Sequence, residues 1–183
     1  MQKRIPRNAT CTICNGRVHL HSPFPYDGIF RRAVLNFKFH NCGAYAEFLS
    51  HEMVRSIKDV YRDREFDLVT CVPMHKDTLR ERGYNQAELL AKECARLLGI
   101  EYADLLAKTK KNKTQHSIKA AERAKNVIGV YSPIDKNLIK GKRILIIDDI
   151  ITTGSTLGEC ARILSKCKCG EICCCTLCTS LLI

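Results

Sequence analysis

The stretch ILIIDDIITTGST, residues 144 to 156, constrains this chain more than any other. Ile144 to Ile147 are four branched apolar residues in a row, which read as a buried strand. The run ends in two adjacent acids, Asp148 and Asp149. A bend of small residues follows at once, and a helix is expected to begin near Ser155. A buried strand that delivers two carboxylates to one spot belongs to a parallel sheet covered on both faces, where ligands gather at the carboxyl ends of the strands.

The rest of the chain fits that architecture. GIFRRAVLNFKFH (28–40) and AYAEFLSHEMVRSIKDV (44–60) have helical periodicity, with Leu49, Met53, Ile57 and Val60 on one stripe. FDLVTCV (66–72) reads as a strand ended by Pro73. Asn85 and Glu88 form a capping pair for a helix whose buried stripe is Ala87, Leu90, Ala91, Cys94 and Leu98, closed by Gly99. IEYADLL (100–106) reads as one strand, and a helix is expected near 117–127. Thr156 and Glu159 read as a second capping pair, ahead of the stripe Leu157, Cys160, Ala161 and Leu164, with a last strand at 171–179. Strands alternating with amphipathic helices give an α/β fold, a central, mostly parallel sheet flanked by helices. The loops 73–84 and 148–156 leave strands at the same edge.

At 183 residues the chain is long enough for one domain with at most a small appendage. Residues 1–25, with Cys11-x-x-Cys14, read as a separate lead-in to a domain spanning 26–183. The start MQKRIPRNATCTIC has no apolar core for a secretory signal, and the 12-residue tail ICCCTLCTSLLI is too short to cross a bilayer. The expected location is cytoplasmic, without membrane insertion. Twelve cysteines in that setting are expected to be free thiols. Cys173, Cys174 and Cys175 would alternate between the faces of a strand, which suits packing better than an iron–sulfur or zinc cluster.

The net charge is +11, and Lys108, Lys110, Lys111, Lys113, Lys119, Arg123 and Lys125 crowd into one segment. Such a field favours a phosphate-rich partner, with a solvated basic face as the plainer alternative. The bend behind the acids fits the first reading. Backbone N–H groups and hydroxyls meet the positive end of a helix dipole there, and Gly154 lets the backbone pass close to a phosphate. Carboxylates repel phosphate, so Asp148 and Asp149 must face neutral hydroxyls or a divalent metal. A phosphorylated ribose offers all of these groups.

On those thirteen residues the chain resembles the PRPP-binding motif of type I phosphoribosyltransferases. VPMHKDTLRERGYNQAELLA (72–91), NFKFH (36–40) and TQHSIKAAERAKNVIGVY (114–131) further resemble the ComF family. These are competence-factor-like proteins with a phosphoribosyltransferase domain, often preceded by a zinc ribbon. The resemblance implies the type I phosphoribosyltransferase fold, here with a partial zinc-ribbon-like lead-in. It implies that Asp148 and Asp149 hold the ribose 2′- and 3′-hydroxyls, while Thr152, Thr153, Gly154, Ser155 and Thr156 wrap the 5′-phosphate. The pyrophosphate loop would comprise Pro73, Met74, His75 and Lys76, with Arg80, Arg82 and Asn85 nearby. Lys108, Lys113 and Arg123 would reach the pyrophosphate from a closing loop as the catalytic cations.

The implied chemistry is displacement of pyrophosphate from PRPP by a nitrogen acceptor, with magnesium as cofactor. Thr152 stands where 6-oxopurine enzymes carry an aspartate base, and a hydroxyl is a poor base near neutral pH, which disfavours that salvage reaction. Two alternatives stand beside the enzyme. One is a competence protein holding single-stranded DNA on its basic face, with Tyr84 and Tyr131 as stackers; the other is a PRPP-sensing regulator. A homodimer is a further partner expectation. Cys11 and Cys14 are half of a zinc site that His19 and His21 would complete; the alternative is a reduced, metal-free pair.

Overall fold

The structure is a computed structural model and describes residues 9–10, 18–39, 43–110 and 127–180. Along the chain run β1 (Ala9–Thr10), β2 (Val18–His21), β3 (Phe24–Pro25), α1 (Gly28–Phe39), α2 (Gly43–Val60), β4 (Leu68–Cys71), α3 (Lys76–Arg82), α4 (Gln86–Leu98), β5 (Glu101–Tyr102), β6 (Leu106–Lys108), β7 (Tyr131–Pro133), α5 (Lys136–Ile139), β8 (Arg143–Ile151), α6 (Ser155–Lys166) and β9 (Glu171–Thr179). The main sheet has the order β1-β2-β9-β8-β4-β5, with β3 also pairing β9. Every pairing in it is parallel except β1 with β2. β6 and β7 form a separate antiparallel ribbon.

β8 lies at the centre because nothing else in the sequence is so evenly apolar. Ile144, Leu145, Ile146 and Ile147 are all 0% exposed, and full burial of each side chain contributes about 1.5–3 kcal/mol. Their side chains alternate between two cores. Ile144 and Ile146 join Leu157, Cys160, Ala161 and Leu164 of α6, while Leu145 and Ile147 join Leu49, Met53 and Ile57 of α2 and Leu90, Ala91 and Cys94 of α4. The cysteines of β9 obey the same alternation: Cys174 faces the first core, Cys173 and Cys175 the second. All three are buried free thiols packed as small apolar groups. Among the described residues no group of three or more His, Cys, Asp or Glu side chains could hold a metal ion.

The sheet takes in residues 18–25 of the expected lead-in, since β2 and β3 both run parallel beside β9. Tyr61 stitches this corner together. Its buried hydroxyl donates to the carbonyls of Cys174 at 2.9 Å and His19 at 3.2 Å. IEYADLL is two short strands, β5 and β6, which pair with different partners: β5 extends the main sheet and β6 joins β7. The helix expected near 117–127 falls outside the described residues, apart from Val127, which sits in a turn. No described helix is long and apolar enough to cross a membrane.

At the amino ends of the strands the polar groups saturate one another. Arg143 forks onto Asp67 at 2.8 and 3.1 Å and onto Glu65 at 2.7 Å, which holds Asp67 well below the usual carboxylate range. The carboxyl ends are arranged differently.

Candidate functional site

Sheet register brings the two loops of interest together. Cys71, the last residue of β4, pairs with Ile147, and the Val72 N–H donates to the Ile147 carbonyl at 3.0 Å. The chain leaving β4 is therefore side by side with Asp148. Between them lies a cavity of about 240 Å³ lined by Pro73, Met74, Thr78, Arg82, Lys108, Asp148, Asp149 and Thr156 from the expected segments. Lys38, Val72, Asn85, Gln86, Ala87 and Tyr131 complete the wall.

The acids do not behave alike. Asp148 accepts from the Asp149 backbone N–H at 2.8 Å. Burial, and then the neighbouring Asp149 carboxylate, pushes the Asp148 carboxyl well above its ordinary range. Asp149 is ion-paired with Lys38 at 2.8 Å, with 14% and 21% of the two side chains exposed. Lys38 comes from the last turn of α1, whose buried residues Val34 and Phe37 seat that helix on the core. The Tyr84 hydroxyl donates to the Phe37 carbonyl and ties the end of α1 to the segment before α4.

The bend after β8 is built on Gly154, whose φ of 73° lies in the left-handed region that glycine adopts most easily. Gly154 is itself the N-cap of α6 and supplies no side-chain cap. The expected capping pair is corrected on this point. The helix begins at Ser155, so Thr156 lies inside its first turn, and Glu159 instead binds Arg162 and the Gly129 N–H. Thr153 and Ser155 hydroxyls meet at 2.9 Å beside the bend, and Thr152 is exposed at its rim. The helix dipole and the N–H groups of this first turn place positive potential at the bend.

On the β4 side, Asn85 caps α4 by accepting from the Ala87 N–H at 3.2 Å, and its amide donates to the Val72 carbonyl at 3.1 Å. Glu88, expected to share that cap, pairs with Lys92 at 2.6 Å. Of the expected pyrophosphate-loop residues, His75 is spent on capping α3, where it accepts from the Asp77 N–H at 3.3 Å. His75, Lys76 and Arg80 do not line the cavity. Lys108 does, held 5.6 Å from the ring centre of its cross-strand partner Tyr131, and burial lowers its pKa. The Tyr131 hydroxyl lies beside Thr156. Of the two tyrosines expected as stackers for a nucleic-acid strand, Tyr131 is 6% exposed and has little ring face to offer, while Tyr84 is half-buried with its hydroxyl on the Phe37 carbonyl.

Lys113, Arg123, Cys11 and Cys14 lie outside the described residues. His19 and His21, two residues apart on β2, have their Nε2 atoms engaged by Arg64 at 3.0 Å and by Ser56 at 2.5 Å. Lys38, Thr78, Gln86 and Tyr131 are site residues that sequence reasoning did not assign to the cavity. Each stands within a segment that carried the family resemblance, NFKFH, VPMHKDTLRERGYNQ or the end of 114–131, which was the available signal.

Comparison with known proteins gives concordant results. Residues 85–181 match the phosphoribosyl transferase domain. The chain is 31% identical to competence protein F of Haemophilus influenzae over 76% of its own length and 63% of that protein. It is 31% identical to competence protein ComFC of Bacillus subtilis over 82% of its own length and 60% of that protein. The chain thus spans less than two thirds of the length of either relative. Among solved structures it is similar to glutamine phosphoribosylpyrophosphate (PRPP) amidotransferase from B. subtilis, with a TM-score of 0.53 and 18% identity over 78% of this chain and 30% of that one, a likeness of fold.

Proposed function

Since this chain belongs to the ComF family, with a phosphoribosyl transferase domain in the type I phosphoribosyltransferase fold, we propose that its cavity binds magnesium–PRPP and displaces pyrophosphate with a nitrogen nucleophile. The observation that carries this reading is the meeting of the Asp148–Asp149 pair, Thr156 from the first turn of α6 and the chain leaving β4 around one cavity, while Thr152, Thr153, Gly154 and Ser155 of the expected phosphate loop do not line it. The acids accept from ribose hydroxyls, the bend takes the 5′-phosphate, and Arg82 and Lys108 face the leaving pyrophosphate. The donor set fits magnesium, because paired carboxylates are hard oxygen ligands beside a phosphate site. When bound, magnesium neutralises charge on the leaving group.

The test is calorimetry of the native chain with magnesium–PRPP, followed by pyrophosphate release with ammonia and nucleobases as acceptors. Binding with release supports the transferase. Binding without release for any acceptor favours a PRPP-sensing regulator, and no binding overturns the reading of the site. The relatives named for competence and the net charge of +11 favour a second role in handling single-stranded DNA. That role predicts salt-sensitive DNA binding indifferent to the two acids.

Lys38 makes the PRPP reading pH-dependent. Its ammonium favours the ionised form of the acid pair, and burial with mutual repulsion opposes it. In Lys38→Met the pair holds its proton to higher pH. If both carboxylates accept from ribose hydroxyls, the pH midpoint of magnesium–PRPP binding is expected to move up by about one pH unit. Calorimetry across pH 5–9 checks this, and an unmoved or lowered midpoint contradicts it.

A further inference from the structure

Gln86 is 1% exposed, opens the 13-residue helix α4 and lines the cavity beside Pro73 and Met74. Its Nε2 has no hydrogen-bond partner among the described residues. Buried amide donors are nearly always paired, so an orphan on a residue that lines a cavity calls for an acceptor from outside the described side chains, and a ligand in that cavity can bring one. Gln86 is not needed as a cap, because Asn85 already caps the helix and secures the end of β4. The cations Arg82 and Lys108 share the cavity, where Lys38 is already paired with Asp149, and the dipole of α4 adds positive potential at its first turn. An acceptor there is expected to be anionic. The facing wall holds Asp148 and Asp149, which would repel such a group and attract hydroxyls instead. The two walls therefore set a polarity for the ligand: hydroxyls towards β8, anionic oxygen towards α4.

We infer that Gln86 is a ligand-binding residue whose side-chain amide donates to a phosphoryl oxygen of the leaving pyrophosphate. This rests on the reading of the cavity as a PRPP site. It adds a neutral donor that stays in place whether or not the cations move. A donor of this kind trades stability for binding, because its unmade hydrogen bond is a cost to the free protein that the ligand removes.

Gln86→Met keeps the length of the side chain and deletes the orphan amide. The expected result is a melting temperature equal to or above that of the native chain. Affinity for magnesium–PRPP and for magnesium–pyrophosphate is expected to fall about tenfold or more, with ribose 5-phosphate affinity unchanged. A purely structural glutamine would give the opposite pattern, lower stability with unchanged affinity, and that result overturns the inference while leaving the PRPP reading intact. A loss confined to ribose 5-phosphate overturns the assignment to pyrophosphate. A native chain that binds none of the three ligands overturns the PRPP reading and this inference with it. Native protein supplies a check that does not depend on the variant's stability. The Gln86 side-chain amide signals in a nitrogen-15 spectrum, identified by their absence from the Gln86→Met spectrum or by sequential assignment, are expected to shift on saturation with magnesium–pyrophosphate. Unmoved signals in a chain that binds pyrophosphate overturn the inference.

Discussion

The Asp148→Asn/Asp149→Asn variant is expected to bind magnesium–PRPP at least about a hundredfold more weakly than the native chain, yet to gain in stability relative to it as pH rises. Two hydrogen bonds from ribose hydroxyls to carboxylates are worth about 1.5–3 kcal/mol each, and a neutral amide can replace neither at full strength. The stability half follows from the free protein. Burial and the Asp149 charge raise the Asp148 pKa in the folded chain, while the unfolded chain releases that proton in the ordinary carboxylate range. Between those two pH values the folded state binds more protons, so rising pH favours unfolding. The contribution of Asp148 is thus fully favourable below the unfolded value and is lost as pH climbs through the raised folded one. Asparagine does not titrate and keeps its neutral form throughout. Loss of the Lys38–Asp149 ion pair works against this, because it leaves a largely buried Lys38 without its partner, but that cost does not follow the titration of Asp148 and so leaves the pH trend intact. Calorimetry measures the first half and thermal unfolding between pH 4 and 8 the second, with the difference in melting temperature, variant minus native, growing as pH rises. Unchanged affinity, or a difference that shrinks with pH, contradicts the account.

The same stretch shows what a sequence can and cannot reveal. β8 and β9 are legible because a continuous apolar run has one good destination, a strand covered on both faces. The place of the adjacent acids at a cavity is legible for a related reason, since they end the buried run at the carboxyl edge of the sheet. The amphipathic helices α2, α4 and α6 were readable to within a residue or so, because their stripes follow the helical period without interruption. What stayed hidden depends on tertiary contact. Lys38 sits in NFKFH, which carried the family resemblance but gave its lysine no role, and only the fold carries it to Asp149. Gln86 looks like an ordinary first-turn residue, and its unpaired amide shows only in the packed structure. The misread cap at Thr156 has a local cause. A glycine with positive φ can start a helix without a side chain, and pattern reading looks for side chains.

Asn85→Ala is expected to lower stability by about 2–4 kcal/mol, because one side chain holds two elements at once. Its oxygen caps α4 through the Ala87 N–H, a contact worth about 1 kcal/mol. Its amide donates to the Val72 carbonyl at the point where β4 gives way to the Pro73 loop. Asn85 is only 7% exposed, so deletion leaves that carbonyl without its partner in a poorly hydrated place, at a cost of about 1–3 kcal/mol. For a chain of this size the sum corresponds to a fall in melting temperature of about 5–15 °C. Asn85→Ser separates the two contributions, since a serine caps a helix well but is too short to reach the Val72 carbonyl. It should recover about 1 kcal/mol, and full recovery would mean that the Val72 contact is energetically idle. The cavity is expected to suffer along with the fold. Val72 also donates to Ile147, the residue before Asp148, so a loosened Val72 frees the Pro73–Met74 wall from the acids opposite it. Magnesium–PRPP affinity, measured well below the melting temperature, should therefore fall in Asn85→Ala even though Asn85 offers the ligand neither charge nor an unpaired donor. A variant that is destabilised as stated but binds like the native chain would show that the two walls are held in register by the sheet alone.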